Sequence, residues 1–190
     1  VLGFVDGQQS VDWIADCGFR VINLLGRFTL DANTDNPFPT VDSLLAENQT
    51  RIVLVDMHAE GSSEKRAMGY FLDGRVSAVW GTHTHVQTSD EQILPRGTGY
   101  ITDLGMTGPA DSVLGIAPEQ SIRKFLGDPP RRYEAAKGPA KLEGCLFEID
   151  PETGAKIFIT PKDAHYTDKK TGKEKVRKEQ SRRRRKDLLS

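Results

Sequence analysis

The sequence predicts an α/β fold built on a largely parallel sheet. Three observations predict it. Arg51–Met57 and Val76–Trp80 are short, nearly continuous apolar runs rich in β-branched residues. Such runs suit strands buried on both faces, as parallel strands are. Between them lies a segment of helical character, Ser62 to about Leu72, which closes a strand–helix–strand unit. Further strand-like segments crowd the second half of the chain.

The elements follow in order. Phe19–Leu25 is β-rich and stops at Gly26, so it reads as a strand. Asp31–Pro39, dense in Asp, Asn, Thr and Pro, reads as a loop. Thr40 is the expected cap of a short helix reaching Glu47. Ser62 and Ser63 start the next helix, with Glu64 and Lys65 in its first turn and Gly74 just past its end. Gly99–Leu104 is another strand candidate, followed by the loop Gly105–Pro109, and Pro118–Leu126 reads as a helix. Lys141–Asp150 and Ala155–Thr160 flank the turn sequence Pro151-Glu152-Thr153-Gly154 and form an expected hairpin.

Composition narrows the class. Of 190 residues, 37% are hydrophobic and 28% charged, as in an ordinary globular domain. No apolar run approaches the ~20 residues that span a bilayer, so no membrane partner is expected. Val1 opens the chain without Met or a signal pattern, so the expectation is a start inside a longer reading frame. Cys17 and Cys145 are isolated, which argues against a disulfide scaffold and for the reducing cytoplasm. Both thiols are expected to be buried.

The net charge of −1 conceals an asymmetry. Residues 162–190 hold 12 of the 26 basic and 5 of the 27 acidic residues, a net of +7, which leaves −8 for residues 1–161. The division expected is therefore a folded body, 1–161, and a basic tail, 162–190, too poor in apolar residues to fold alone. The tail supports an alternative reading of the protein as a non-catalytic RNA- or ribosome-associated binder, since clustered Arg and Lys neutralise phosphates. No aromatic residue interrupts Arg182–Lys186, which argues against sequence-specific single-strand recognition.

Three of the four histidines fall where chemistry is expected. His58 follows the run Ile52–Met57, and His83 and His85 follow Val76–Trp80. In open α/β sheets, ligands bind beyond the C-terminal ends of the strands. The intervening helix makes the two strands parallel neighbours, so both groups should reach the same sheet edge. If the segment is extended, period-two alternation sends His83 and His85 to one side. Neutral imidazole is the commonest nitrogen ligand for transition metals, so the three form a candidate partial metal site. The competing reading for any one of them is a capping or loop residue. His165 lies beside Tyr166 in the polar tail and is not a candidate.

These residues resemble a known family. Asp56-Met57-His58-Ala59-Glu60, Ser63-Glu64-Lys65, Tyr70–Val79 and Gly81-Thr82-His83-Thr84-His85-Val86-Gln87-Thr88 resemble the YmdB-type branch of the calcineurin-like metallophosphoesterases. Ile93–Thr98, Tyr100–Asp103 and Gly105–Pro109 extend the likeness, which covers about Phe19 to Thr160. The resemblance implies an αββα sandwich, here without its N-terminal strands. It implies hydrolysis of phosphodiesters, with 2′,3′-cyclic nucleotides as substrates and two divalent ions, iron or manganese, as cofactors. By resemblance, His58 and His83 bind one ion and His85 the other. Homo-oligomerisation is left open.

The family's remaining ligands and general acid come from Gly-Asp-x-x-Gly, Asn-Gly-Glu-Asn and Gly-Asn-His motifs, which this sequence does not contain. The nearest approach is Val5-Asp6-Gly7. Three neutral histidines do not balance two dications, so this chain alone is expected to be an incomplete, weakly active fragment, and no catalytic residue is assigned. Asp56 and Glu60 flank His58 and would orient its ring; Asp56 is otherwise an oddity as an acid in a buried strand, and Glu60 would equally serve as a surface or capping group. Asp103 with the loop Gly105–Pro109 would either line a phosphate pocket or form a tight turn.

Overall fold

The structure is a computed structural model that describes residues 10–14, 18–28, 30, 34–47 and 50–166, with side chains except in 10–14 and 156–166. Val5-Asp6-Gly7, Cys17 and the chain beyond Tyr166 lie outside the described residues. The chain divides into two compact units, Val1–Met106 with Glu143–Lys162, and Thr107–Leu142 with Asp163–Ser190.

The first unit is organised by a six-stranded sheet in the order β1-β2-β3-β4-β6-β5. Its strands are β1 (Ser10–Ile14), β2 (Phe19–Leu25), β3 (Ile52–His58), β4 (Ala78–Thr82), β5 (Gln92–Ile93) and β6 (Gly99–Ile101). The central strands β2, β3, β4 and β6 run parallel, and β1 and β5 close the edges antiparallel. The α/β class read from the sequence is therefore the observed one.

Helices α1 (Pro37–Glu47) and α2 (Ser62–Phe71) cover one face of this sheet. Alternation along β2 and β3 sends Ile22, Leu24, Val53, Val55 and Met57 to that face. There they pack with Val41 of α1 and with Met68 of α2 and Leu72 just beyond it in one core. Fully burying each such side chain is worth roughly 1.5–3 kcal/mol, so this face, rather than local propensity, holds the helices. The opposite face carries Asn23, Asp56, His58, Trp80 and Thr82, and there Trp80 meets Phe147 with ring centroids 5.8 Å apart.

Several boundaries differ from the sequence reading. Helix α1 starts at Pro37, not Thr40, because Asn36 Oδ1 accepts the Phe38 N–H and Pro37 is preset for a first helical turn. Strand β4 is shifted towards the histidines, Ala78–Thr82. Strand β1 was not anticipated. The hairpin is present as β8 (Ala140–Ile149) and β9 (Lys156–Tyr166), so β9 passes residue 161 and takes in His165. Gly154 at its turn has φ of 71°, and Asp150 Oδ1 accepts the N–H groups of Glu152 and Thr153. Cys145 on β8 is half-buried, short of the full burial expected.

In the second unit, β7 (Thr107–Pro109) pairs with the first residues of β8, and α3 (Pro118–Phe125) follows it. Isolated bridges join Val113 to Ile116 and Ile116 to Ala135. Among the described residues no helix is long and apolar enough to cross a membrane.

Candidate functional site

Parallel pairing sets the ends of three strands side by side. Leu25 is in register with His58, and His58 with Thr82. His58 is the last residue of β3, and His83 and His85 follow β4 directly.

A polar chain runs behind His58. Asn23 Nδ2 donates to Asp56 Oδ2 at 2.9 Å, and Thr82 Oγ1 donates to Asp56 Oδ1 at 2.8 Å. The Thr82 hydroxyl has spent its only proton on Asp56, so towards His58 Nδ1, 3.1 Å away, it accepts. The network therefore fixes the Nδ1–H tautomer of His58 and leaves the Nε2 lone pair pointing outward. Orienting a ligating imidazole from behind in this way is the usual second layer of a metal site. Burial raises the pKa of Asp56, and the hydrogen bonds from Thr82 and Asn23 pull it back.

His58 Nε2 faces His83 Nδ1 at 3.1 Å, with the rings edge-on and their centroids 4.9 Å apart. On its other side, His83 Nε2 lies 3.3 Å from Glu60 Oε2. A neutral His83 has one N–H and here meets two acceptors, so one contact always lacks a proton. A cation between the two histidines removes that conflict. The spacing also suits one ion, since two nitrogens each ~2.1 Å from it stand roughly 3.0–3.4 Å apart at tetrahedral or octahedral angles. The donor chemistry thus fits two positions on a divalent transition metal. Among the described residues, however, no three His, Cys, Asp or Glu side chains gather as a set able to hold an ion.

The third histidine behaves differently from the sequence argument. Residues 83–85 are not extended: His83 has φ of 108° and His85 of 62°, in the left-handed region. Period-two alternation stops at Thr82 and does not place His85. His85 is exposed but close enough for its charge to act on His58. Non-glycine residues in this region cost about 1–3 kcal/mol each and cluster at functional sites.

The other acids have settled roles. Asp103 is fully buried, and its Oδ2 receives Lys65 Nζ at 2.7 Å and the Thr84 N–H and hydroxyl at 3.1 and 2.8 Å. Its carboxylate is engaged in these bonds and, through Oδ1, with the Gly105 N–H, which fits the tight-turn reading. Glu64 accepts the backbone N–H groups of Arg27 and Phe28 and ties the turn after β2 to α2.

Two expected results follow. Thr82→Val keeps the shape but strands His58 Nδ1–H and one Asp56 oxygen. It should cost about 1–3 kcal/mol in urea unfolding. The second concerns pH. Burial, then the charge of His83, lowers the His58 pKa below its ordinary 6.5. Between the folded and unfolded values the unfolded chain binds more protons, so stability falls as pH drops below 6.5. The metal-free thermal midpoint should fall on acidification through this range, and less so in His58→Asn. An equal fall in both proteins would remove His58 as the source.

The YmdB-like protein family matches residues 6–161. The chain belongs to that family. It is similar to a Bacillus subtilis 2′,3′-cyclic-nucleotide 2′-phosphodiesterase, with 50% identity over 141 residues, 73% of this chain and 53% of that protein. A crystal structure of a hypothetical protein from Thermus thermophilus superimposes with a TM-score of 0.76 at 38% identity, over 84% of this chain and 62% of that one. A phosphatase structure from Mycoplasma pneumoniae gives 0.75 at 38% identity, over 84% and 58%. The chain spans about half the length of the curated relatives it matches.

Proposed function

We propose that this YmdB-like chain supplies the histidine side of a dinuclear metal centre that hydrolyses phosphodiesters, with 2′,3′-cyclic nucleotides as the substrate class. The observation that carries the reading is the facing pair, His58 Nε2 and His83 Nδ1 at 3.1 Å, with His58 locked from behind by Thr82 and Asp56. The name of the Bacillus subtilis relative supports the substrate class.

In this reading His58 and His83 hold one ion and His85 contributes to the second. Iron or manganese suits imidazole combined with oxygen donors. When bound, two such ions polarise the phosphate oxygens and lower the pKa of a water nucleophile. The chain's own work is orientation. Asn23, Asp56 and Thr82 fix the His58 ring and its tautomer. Glu60 lies against His83 and offers a negative charge beside the imidazoles. The test is hydrolysis of 2′,3′-cyclic AMP with Mn²⁺, by the chain joined to a segment carrying the Gly-Asp-x-x-Gly and Gly-Asn-His motifs. Turnover indifferent both to chelation and to His58→Ala would overturn the reading.

A further inference from the structure

We propose that the buried Lys65–Asp103 pair is the positioning device of the site, holding the turn His83-Thr84-His85 in the backbone that presents His83 to His58. Both side chains are fully buried, and Nζ lies 2.7 Å from Oδ2. The same Oδ2 receives the N–H and the hydroxyl of Thr84, the residue between the two histidines. Asp103 Oδ1 accepts the Gly105 N–H at 2.9 Å. The backbone of Asp103 is tied to Thr88: its N–H donates to Thr88 Oγ1 at 2.9 Å, and its carbonyl accepts the Thr88 N–H at 3.1 Å. The segment 84–88 is thus fastened at both ends to one residue, and Lys65 fixes that residue's carboxylate.

This explains how two non-glycine residues keep left-handed backbones. Such backbones persist only where the surroundings over-determine them, and two bonds to Thr84 from a carboxylate that cannot rotate do so. Stability alone does not call for charges here. Burying an ion pair costs desolvation comparable to its attraction, and apolar replacement of both partners is often neutral. What an apolar pair cannot supply is an acceptor aimed at Thr84. Lys65 reaches it by passing Gly81, where an added Cβ would lie 2.6 Å from the Lys65 Cδ.

The double variant Lys65→Met/Asp103→Leu separates positioning from stability. Lys65→Met alone should lower the thermal midpoint sharply, and the double variant should recover part of that loss, the rest being the Thr84 and Gly105 donors left without their acceptor. In the metal-free double variant the Thr84 amide should exchange with solvent at least 100-fold faster. The nuclear Overhauser contact between the His58 and His83 rings should disappear, and Mn²⁺ affinity should fall at least tenfold. Thr84→Val, at a half-buried position, serves if the double variant does not fold: it should weaken the ring contact and Mn²⁺ binding with a fall in midpoint smaller than that of Lys65→Met. Ring contact and amide protection that persist in the double variant would overturn the proposal, as would a Thr84→Val protein with unaltered ring contact. Only the Mn²⁺ arm rests on the phosphoesterase reading; the exchange and ring-contact arms need no metal, so the two readings fail separately.

Discussion

Replacing His83 with alanine is expected to lower Mn²⁺-dependent hydrolysis of bis-p-nitrophenyl phosphate by about 10³-fold, in the chain joined to a segment bearing the Gly-Asp-x-x-Gly and Gly-Asn-His motifs. His83 provides one of the two nitrogens that face each other at 3.1 Å. Metal-centred charge stabilisation is worth several kcal/mol, and about 4 kcal/mol corresponds to roughly 10³ in rate. The 190-residue chain alone is expected to stay near background in the same assay. The reason is that the acids around the pair are already engaged. Asp56 is held by Asn23 and Thr82, and Asp103 by Lys65, Thr84 and Gly105. Among the described residues, Glu60 beside His83 is then a carboxylate at hand for the dications. Robust turnover by the chain alone, abolished by His83→Ala, would contradict this account and make Glu60→Gln the next variant to measure.

The parts of this site that were legible in the sequence are those written in local patterns. The runs ending at Met57 and Trp80 announce buried parallel strands, and their histidines follow at the strand ends. Register then sets the two strand ends side by side, with His58 opposite Thr82, and the bend after Thr82 turns His83 to His58. The relay behind His58 was not legible, because Asn23, Asp56 and Thr82 come from three strands and meet only through their pairing. Asp56 was noticed as a buried acid, but nothing local names its partners. The bend at His83 was missed for a different reason: a His-x-His after a strand reads as more strand, whereas Asp103, 19 residues beyond Thr84, turns the chain. Lys65 did leave a signal. Lys65, Met68, Gly69 and Leu72 follow the i, i+3, i+4, i+7 spacing of one helical stripe. A lysine on the buried stripe needs a buried acid, and Asp56 and Asp103, each in or just after an apolar strand, were both candidates, so the sequence did not choose between them.

Gly81→Ala should be among the most destabilising single substitutions in the chain, by about 4 kcal/mol or more. A Cβ there would overlap the Thr102 carbonyl oxygen and sit 2.6 Å from the Lys65 Cδ. The carbonyl cannot retreat, because β4 and β6 are paired through Trp80 and Ile101, and the Leu104 N–H donates to the Gly81 carbonyl at 3.0 Å. Lys65 cannot step aside without leaving Asp103 as a buried, unpaired charge. Losing one partner of such a pair costs about 3–5 kcal/mol, and overpacking adds about 1–3 kcal/mol. Whole domains are stable by only about 5–15 kcal/mol, so the variant should be largely unfolded at modest urea. Gly144→Ala is the matched control: its Cβ would meet nothing within 4 Å, and its stability should equal or exceed the parent's. The measurement is urea unfolding followed by circular dichroism for all three proteins. A Gly81→Ala protein with parental stability would mean that Lys65 does not pass this point to reach Asp103, and the positioning role assigned to the pair would fall with it.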